Sequence, residues 1–159
     1  MGAMIQCGGL MERGDLCLVE VMGFDWRPGH ACGILGKFGR AEIALSYLIV
    51  GNAIGGDKNM SFCLRTDLLA SKRHLLDEIK RDFKADKLEV RAPVVILTLY
   101  GPHFLEKFNL ANEVFSALCT DGIDAHTVSS SINSISVVVD TIDRDRTVAC
   151  LRQKFTWPE

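Results

Sequence analysis

The chain has no surplus of either charge: 18 Lys and Arg stand against 20 Asp and Glu, a formal net charge of −2. So even a balance gives no electrostatic footprint for nucleic acid or an acidic membrane, and neither is expected as a partner. No apolar run reaches about 18 residues, so no membrane-spanning helix is expected. Met1–Gly9 lacks a basic start followed by a long apolar stretch, so no signal peptide is expected and the cytoplasm is the expected location. No C-x-x-C pair occurs among the six cysteines (Cys7, Cys17, Cys32, Cys63, Cys119, Cys150), and the four histidines are equally scattered. A metal site needs closely spaced ligands, so these cysteines are expected to pack in the core, with no metal and no cofactor.

Motifs for catalysis are missing too. Gly36-Lys37 suggests a phosphate-binding loop, but that pattern needs Gly at position 31 and Ser or Thr at 38, where Ala31 and Phe38 stand. Ser129–Ser131 has only His126 nearby, three residues away, which on a strand points to the opposite face. Asp143-Arg-Asp-Arg146 reads as a solvated helix start. No catalytic residue is assigned, and the chain is not expected to be an enzyme.

What is present is a repeated pattern. At 159 residues, 48% hydrophobic and 24% charged, the chain has the balance of a globular protein of one domain or two small ones. Modules that small bury little apolar surface and tend to pack on each other or on a partner. An amphipathic helix over Asn109–Asp121, a stop at Gly122, a strand, a polar turn at Ser131–Ser134, a β-branched strand to Asp140 and a helix over Asp143–Phe155 follow in order. A weaker copy precedes it. Leu16–Met22 reads as a strand, Phe24–Gly29 as a loop, and Ala31, Ile34, Leu35 and Phe38 as one face of a short helix. Glu42–Val50 and Met60–Arg65 read as strands around a Gly-rich turn. Thr66 or Asp67 then caps one helix with Leu68, Leu69, Leu75, Leu76, Ile79 and Phe83 on its stripe. Lys87–Val90 and Val94–Tyr100 read as two strands parted by Ala92-Pro93.

Ile34, Leu35, Phe38 and Ile43 match Val114, Phe115, Leu118 and Ile123 at one offset, and Leu76, Ile79 and Phe83 match Val148, Leu151 and Phe155 at another. The difference falls in the hairpin, as in a duplicated βαββαβ unit of α+β class. This places a first unit at 14–92 and a second at 93–159. The second copy ends at Phe155 without a final strand, and the orphan apolar segment at the N-terminus, within 4–11, is expected to cross over and supply it.

The string Ile123-Asp-Ala-His-Thr-Val-Ser-Ser-Ser-Ile-Asn-Ser-Ile-Ser-Val-Val-Val139 resembles the second ACT segment of the tandem regulatory region of aspartokinases. Met22-Gly-Phe-Asp-Trp-Arg-Pro-Gly29, with Ile34–Phe38 and Glu42-Ile43, resembles the first segment's strand–Pro-Gly–helix opening. The resemblance runs from about Met4 to Phe155. It implies two ferredoxin-like ACT units, crossover of the N-terminal strand, a small amino acid bound at an ACT–ACT interface, and a homodimer. It also implies communication with a kinase for which this chain has no room. The chain is therefore expected to be a stand-alone regulator, a regulatory subunit of a partner enzyme of amino-acid metabolism, or a fragment.

The resemblance puts the effector among Phe24–Ala31 and Ser46–Asn52, hence Asp25, Trp26, Arg27, Gly29, His30, Ala31, Ser46, Val50 and Asn52; in the second unit it puts it at Asn109, Ser129 and Ser130. The local chemistry agrees: N–H groups at a helix start attract a carboxylate, Asp25 can hold an ammonium, and Arg27 can clamp an acid. A solvated turn with proline at the first helical position explains the same residues. The pattern also departs from the family. Trp26 stands where an acidic residue often precedes Pro-Gly, Val50 where a Gln often ends the next strand, and Ile132 at the glutamate of the family's serine-rich string. The second unit has Phe108-Asn109 in place of Pro-Gly, with Asn109 as an N-cap. These departures weigh against lysine and threonine. A non-catalytic amino-acid sensor is the leading expectation, and an assembly module with a lost pocket the alternative.

Overall fold

A computed structural model describes residues 4–102 and 104–158. Met1–Ala3, in the stretch read for a signal peptide, His103, one of the four histidines, and Glu159, the end of the expected second unit, lie outside the described residues. The elements are β1 (Ile5–Gln6), β2 (Gly9–Phe24), α1 (His30–Arg40), β3 (Tyr47–Asn52), β4 (Lys58–Arg65), α2 (Thr66–Ser71), α3 (Arg73–Asp82), β5 (Lys87–Tyr100), α4 (Leu110–Thr120), β6 (Thr127–Ser130), β7 (Ser134–Asp140), α5 (Arg144–Arg152) and β8 (Phe155–Thr156). They divide into two compact α+β units of βαββαβ type. One spans Asp15–Pro93; the other joins the residues up to Gly14 to those from Val94 onward. Among the described residues, no helix is long and apolar enough to cross a membrane.

In the Asp15–Pro93 unit the strand order is β3-β4-β2-β5. The alternate residues Cys17, Val19 and Val21 of β2, with Met60, Phe62 and Leu64 of β4, face Ile34 and Phe38 of α1 and Leu75, Leu76 and Ile79 of α3. Phe38 and Phe62 meet edge-on at 4.9 Å. In the other unit β5, β7 and β6 are consecutive, with Val137 opposite both Leu97 and Val128. Leu97, Leu99, Val137 and Val139 pack on Val114 and Leu118 of α4 and on Cys150 and Leu151 of α5.

The N-terminal segment belongs to this second unit, but its first piece lies in a separate two-stranded sheet and does not extend the β5-β7-β6 sheet. Ile5–Gln6 pairs in parallel with Phe155–Thr156, and the chain then turns at Gly8, whose N–H donates to the Tyr100 carbonyl at 2.7 Å. Phe155 is thus a strand residue, not the end of a helix. Like Phe83, which caps α3, it lies just past its helix and seals the core.

Other boundaries are corrected as well. β3 begins at Tyr47 rather than Glu42, because Glu42 adopts φ 58° in the turn that closes α1. The long helix expected over 66–83 breaks at Lys72 into α2 and α3, and neither Thr66 nor Asp67 caps it through a side chain. β5 is one strand: pairing with β7 starts at Val94, so Pro93, at a cis bond, deprives that ladder of no donor. Pro28 precedes the N-cap Gly29 instead of occupying the first helical position. Cys7, Cys17, Cys63 and Cys150 are buried as expected, but Cys32 and Cys119 sit on exposed helical faces.

Candidate functional site

The loop after β2 is shaped by the strand end beneath it. A register shift between Val21 and Phe24 places Gly23 at φ 62°, where its N–H donates to Asn59 Oδ1 at 2.9 Å. A Cβ on Gly23 would lie 2.2 Å from Asp86 Oδ2, and the left-handed backbone there favours glycine. The chain then leaves the sheet with the Asp25 N–H bonded to the Phe83 carbonyl at 3.2 Å. Asp25 Oδ2 accepts from Arg27 Nε at 2.8 Å, and His30 Nδ1 bonds the Asp25 carbonyl, its ring set edge-on to Phe83 at 5.4 Å. Gly29, at φ 93°, starts α1 with no side-chain cap, and a Cβ there would meet nothing within 4 Å. The first amides of α1, at Ala31 and Cys32, therefore have no capping side chain, on an open approach.

The sheet register brings a second group to this loop. Phe24 of β2 and Asn52 of β3 both stand opposite Lys58 of β4. Trp26 is tilted against Phe24 at 6.2 Å, the Lys58 ammonium lies 5.0 Å from the Trp26 ring centroid, and Lys58 Nζ also donates to Asn52 Oδ1. Asp25, Trp26, Arg27, Gly29, His30, Ala31 and Asn52 thus belong to one end of the unit, with Val50 two residues down β3 and 42% exposed. Ser46 precedes the other end of β3, roughly 20 Å of strand from Asn52, its N–H bonded to the Cys63 carbonyl. Lys58 was missed in the sequence. Its signal was there in the hairpin register that any strand 58–65 paired with 47–52 would impose.

The second unit's residues are less converged. Asn109 sits at the N-cap of α4 in the left-handed region, φ 67°. Its side chain does not cap the helix; Nδ2 reaches Glu113 Oε1 at 3.4 Å. Ser129 and Ser130 are adjacent on β6 and so point to opposite faces. Ser129 stands opposite Ser136, which shares a hydrogen bond with Thr98 at 2.8 Å, while Ser131 and Ser134 bond each other across the turn at 2.8 Å. The hydroxyls of Ser131, Ser134 and Ser136 serve the sheet and its turn. The His126 ring N–H donates to Asp140 Oδ1 at 2.9 Å, and among the described residues no serine is hydrogen-bonded to that ring. Among the described residues, no three His, Cys, Asp or Glu side chains gather as metal ligands.

The sequence matches no protein-family model and no curated protein. Solved structures do match. The regulatory subunit of aspartate kinase from Thermus flavus superposes with TM-score 0.84 at 16% identity, covering 94% of this chain and 99% of that one. Aspartate kinase from Synechocystis gives TM-score 0.87 at 20% identity over 96% of this chain and 28% of that one. Escherichia coli aspartokinase III, in complex with lysine and aspartate in its T state, gives 0.69 at 18% identity over 94% and 33%. The chain therefore has, over nearly its whole length, the fold of the regulatory region of aspartate kinases.

Proposed function

We propose that this chain is a non-catalytic regulatory module that binds a small amino acid at the 25–31 loop and transmits its presence to a partner enzyme of amino-acid metabolism in the cytoplasm. The observation that carries the reading is the uncapped N-terminus of α1 beside Asp25, Arg27, Trp26 and Lys58, in a fold shared with about a third of an aspartokinase crystallised with lysine and aspartate. The α-carboxylate docks on the amides of Ala31 and Cys32, and the α-ammonium replaces Arg27 on Asp25. That exchange costs little, because the Arg27 side chain is 65% exposed and surface ion pairs are weak. A cationic effector side chain meets Arg27 and Lys58, so the site favours a neutral or acidic one.

A ligand that prefers one arrangement of the module shifts its population, and a coupling of about 1–3 kcal/mol suffices for regulation. The alternative, an assembly module, draws on the fact that Asp25 and Lys58 are already partnered within the chain. A thermal-shift screen of the twenty amino acids separates the two. An effector at 100 times its dissociation constant adds about 2.7 kcal/mol of stability, and Asp25→Asn, which removes the charge that holds the ammonium, should remove the shift. No shift from any amino acid would overturn the sensor and leave assembly.

A further inference from the structure

Helix α3 carries its charges on two sides, with different fates. Toward α1, Lys37 bridges Glu78 at 3.1 Å and Asp82 at 3.0 Å, while Arg81 takes the other Asp82 oxygen at 3.0 Å. Away from α1, Arg73, Asp77 and Lys80 line a cavity of 390 Å³. Spaced i, i+4 and i+7, they share one helical stripe about 10 Å long. Among the described residues no ion pair engages any of the three, although Arg73 and Asp77 have the spacing to pair. The rest of the lining is apolar: Leu69 of α2, Leu76 of α3, and Leu88, Val90 and Ala92 of β5. Those β5 residues alternate onto the helix-facing side, where Leu88 and Val90 are only half-buried because α3 leaves that rim of the sheet uncovered.

A row of cation, anion, cation above a floor of Leu and Val complements a particular ligand chemistry. We infer that this cavity is a second binding site, for a small zwitterion with an apolar tail, the chemistry of an aliphatic or aromatic α-amino acid. Asp77 takes the ammonium, Arg73 or Lys80 takes the carboxylate, and the tail lies on Leu69, Leu76, Leu88 and Val90. The volume falls within the roughly 300–1,000 Å³ range of small-molecule sites. A peptide strand added to β5 is less suited to this place, because Lys87, Glu89 and Arg91 charge that strand in the manner of edges protected against pairing. All three ionic groups are exposed, so binding is weak and falls with salt. The inference goes beyond the 25–31 loop and involves none of its residues.

The test is methyl NMR of the whole chain titrated with L-leucine, L-methionine and L-phenylalanine to about 20 mM, the range in which weak sites saturate. The expected result is a saturable shift of the Leu69, Leu88 and Val90 methyls. It should weaken at least about tenfold for 4-methylpentanoate, which lacks the ammonium, for 3-methylbutylamine, which lacks the carboxylate, and for Asp77→Asn. The Asp25→Asn variant should bind as before. Methyls that do not move, or a shift indifferent to Asp77→Asn, would overturn the site. Loss of the shift in Asp25→Asn would also overturn it, while assigning the amino acid to the loop and leaving the proposed function standing.

Discussion

At the residue scale, the internal duplication is written most clearly in helix ends. α1 closes with the Ile43 N–H on the Phe38 carbonyl at 3.0 Å and Glu42 on Gly39 at 3.1 Å; α4 closes with Ile123 on Leu118 at 3.0 Å and Gly122 on Cys119 at 3.1 Å. Both are Schellman motifs, and both need a left-handed residue after the cap. The second unit supplies Gly122 at φ 61°, while the first strains Glu42 into φ 58°. Glu42→Gly is expected to stabilise the protein by about 0.5–1 kcal/mol and Gly122→Ala to cost about 1 kcal/mol in urea unfolding. Equal effects of one sign would remove the strain argument. The cysteines make a second residue-scale case. Burial pushes the Cys7 thiol up to about 11 and Cys63 to about 12, from an ordinary value of 9.0. At neutral pH a thiol reagent should modify Cys32 and Cys119 quickly and the other four only on unfolding. Because the folded values lie above the unfolded one, the stabilisation is complete below about pH 9 and is lost as pH rises from there toward 12. Fast labelling of Cys63 in the native state would contradict this.

At the element scale, the sequence showed the repeat, the crossing N-terminal segment and the polar turn at Ser131–Ser134, because each rests on local periodicity or turn chemistry. It hid what register and packing decide. Phe155 fits the helical stripe of α5, yet the helix stops at Arg152 and the ring enters the core from a strand. Lys72 interrupts a stripe of leucines that looks continuous: Leu68 and Leu69 of α2 are only partly buried, whereas Leu75 and Leu76 of α3 lie in the core. For the candidate site, the loop residues were legible from Pro28-Gly29, whereas Lys58 was not, because only pairing across β2, β4 and β3 carries it to Trp26. The N-terminal segment yields a prediction at this scale. β1 and the turn after it contribute the bonds from Ile5 to Lys154 at 2.9 Å, Cys7 to Thr156 at 2.8 Å and Gly8 to Tyr100, together with buried Cys7. Deleting residues 1–8 should cost about 2–4 kcal/mol. Hydrogen exchange should locate the loss, with protection falling at Val114 and Val137 and persisting at Val19 and Phe62. Uniform protection would show that the segment does not complete the second unit.

For the whole molecule, the two outer strands of the Asp15–Pro93 unit differ in how they meet solvent. β5 presents Lys87, Glu89 and Arg91, whereas β3, Tyr-Leu-Ile-Val-Gly-Asn, carries no charge and no proline. Among the described residues β3 is paired on one side only, and Leu48 and Val50, on one face of it, are 44% and 42% exposed. An uncharged, apolar edge is a template for another strand, and natural proteins leave one open chiefly where a partner covers it. This edge is where pairing between two copies of the chain is predicted. The near-neutral net charge of −2 adds little repulsion between copies. Sedimentation at micromolar concentration should give a dimer, and Leu48→Lys, which puts an ammonium on that edge without touching the core, should give a folded monomer by circular dichroism. A wild-type monomer would sink the dimer outright; a Leu48→Lys dimer would move it to another face. The variant also separates assembly from sensing: if Leu48→Lys is monomeric and still stabilised by the effector found in the thermal screen, the 25–31 loop binds without its partner. If stabilisation disappears with the dimer, β3 pairing is part of the site.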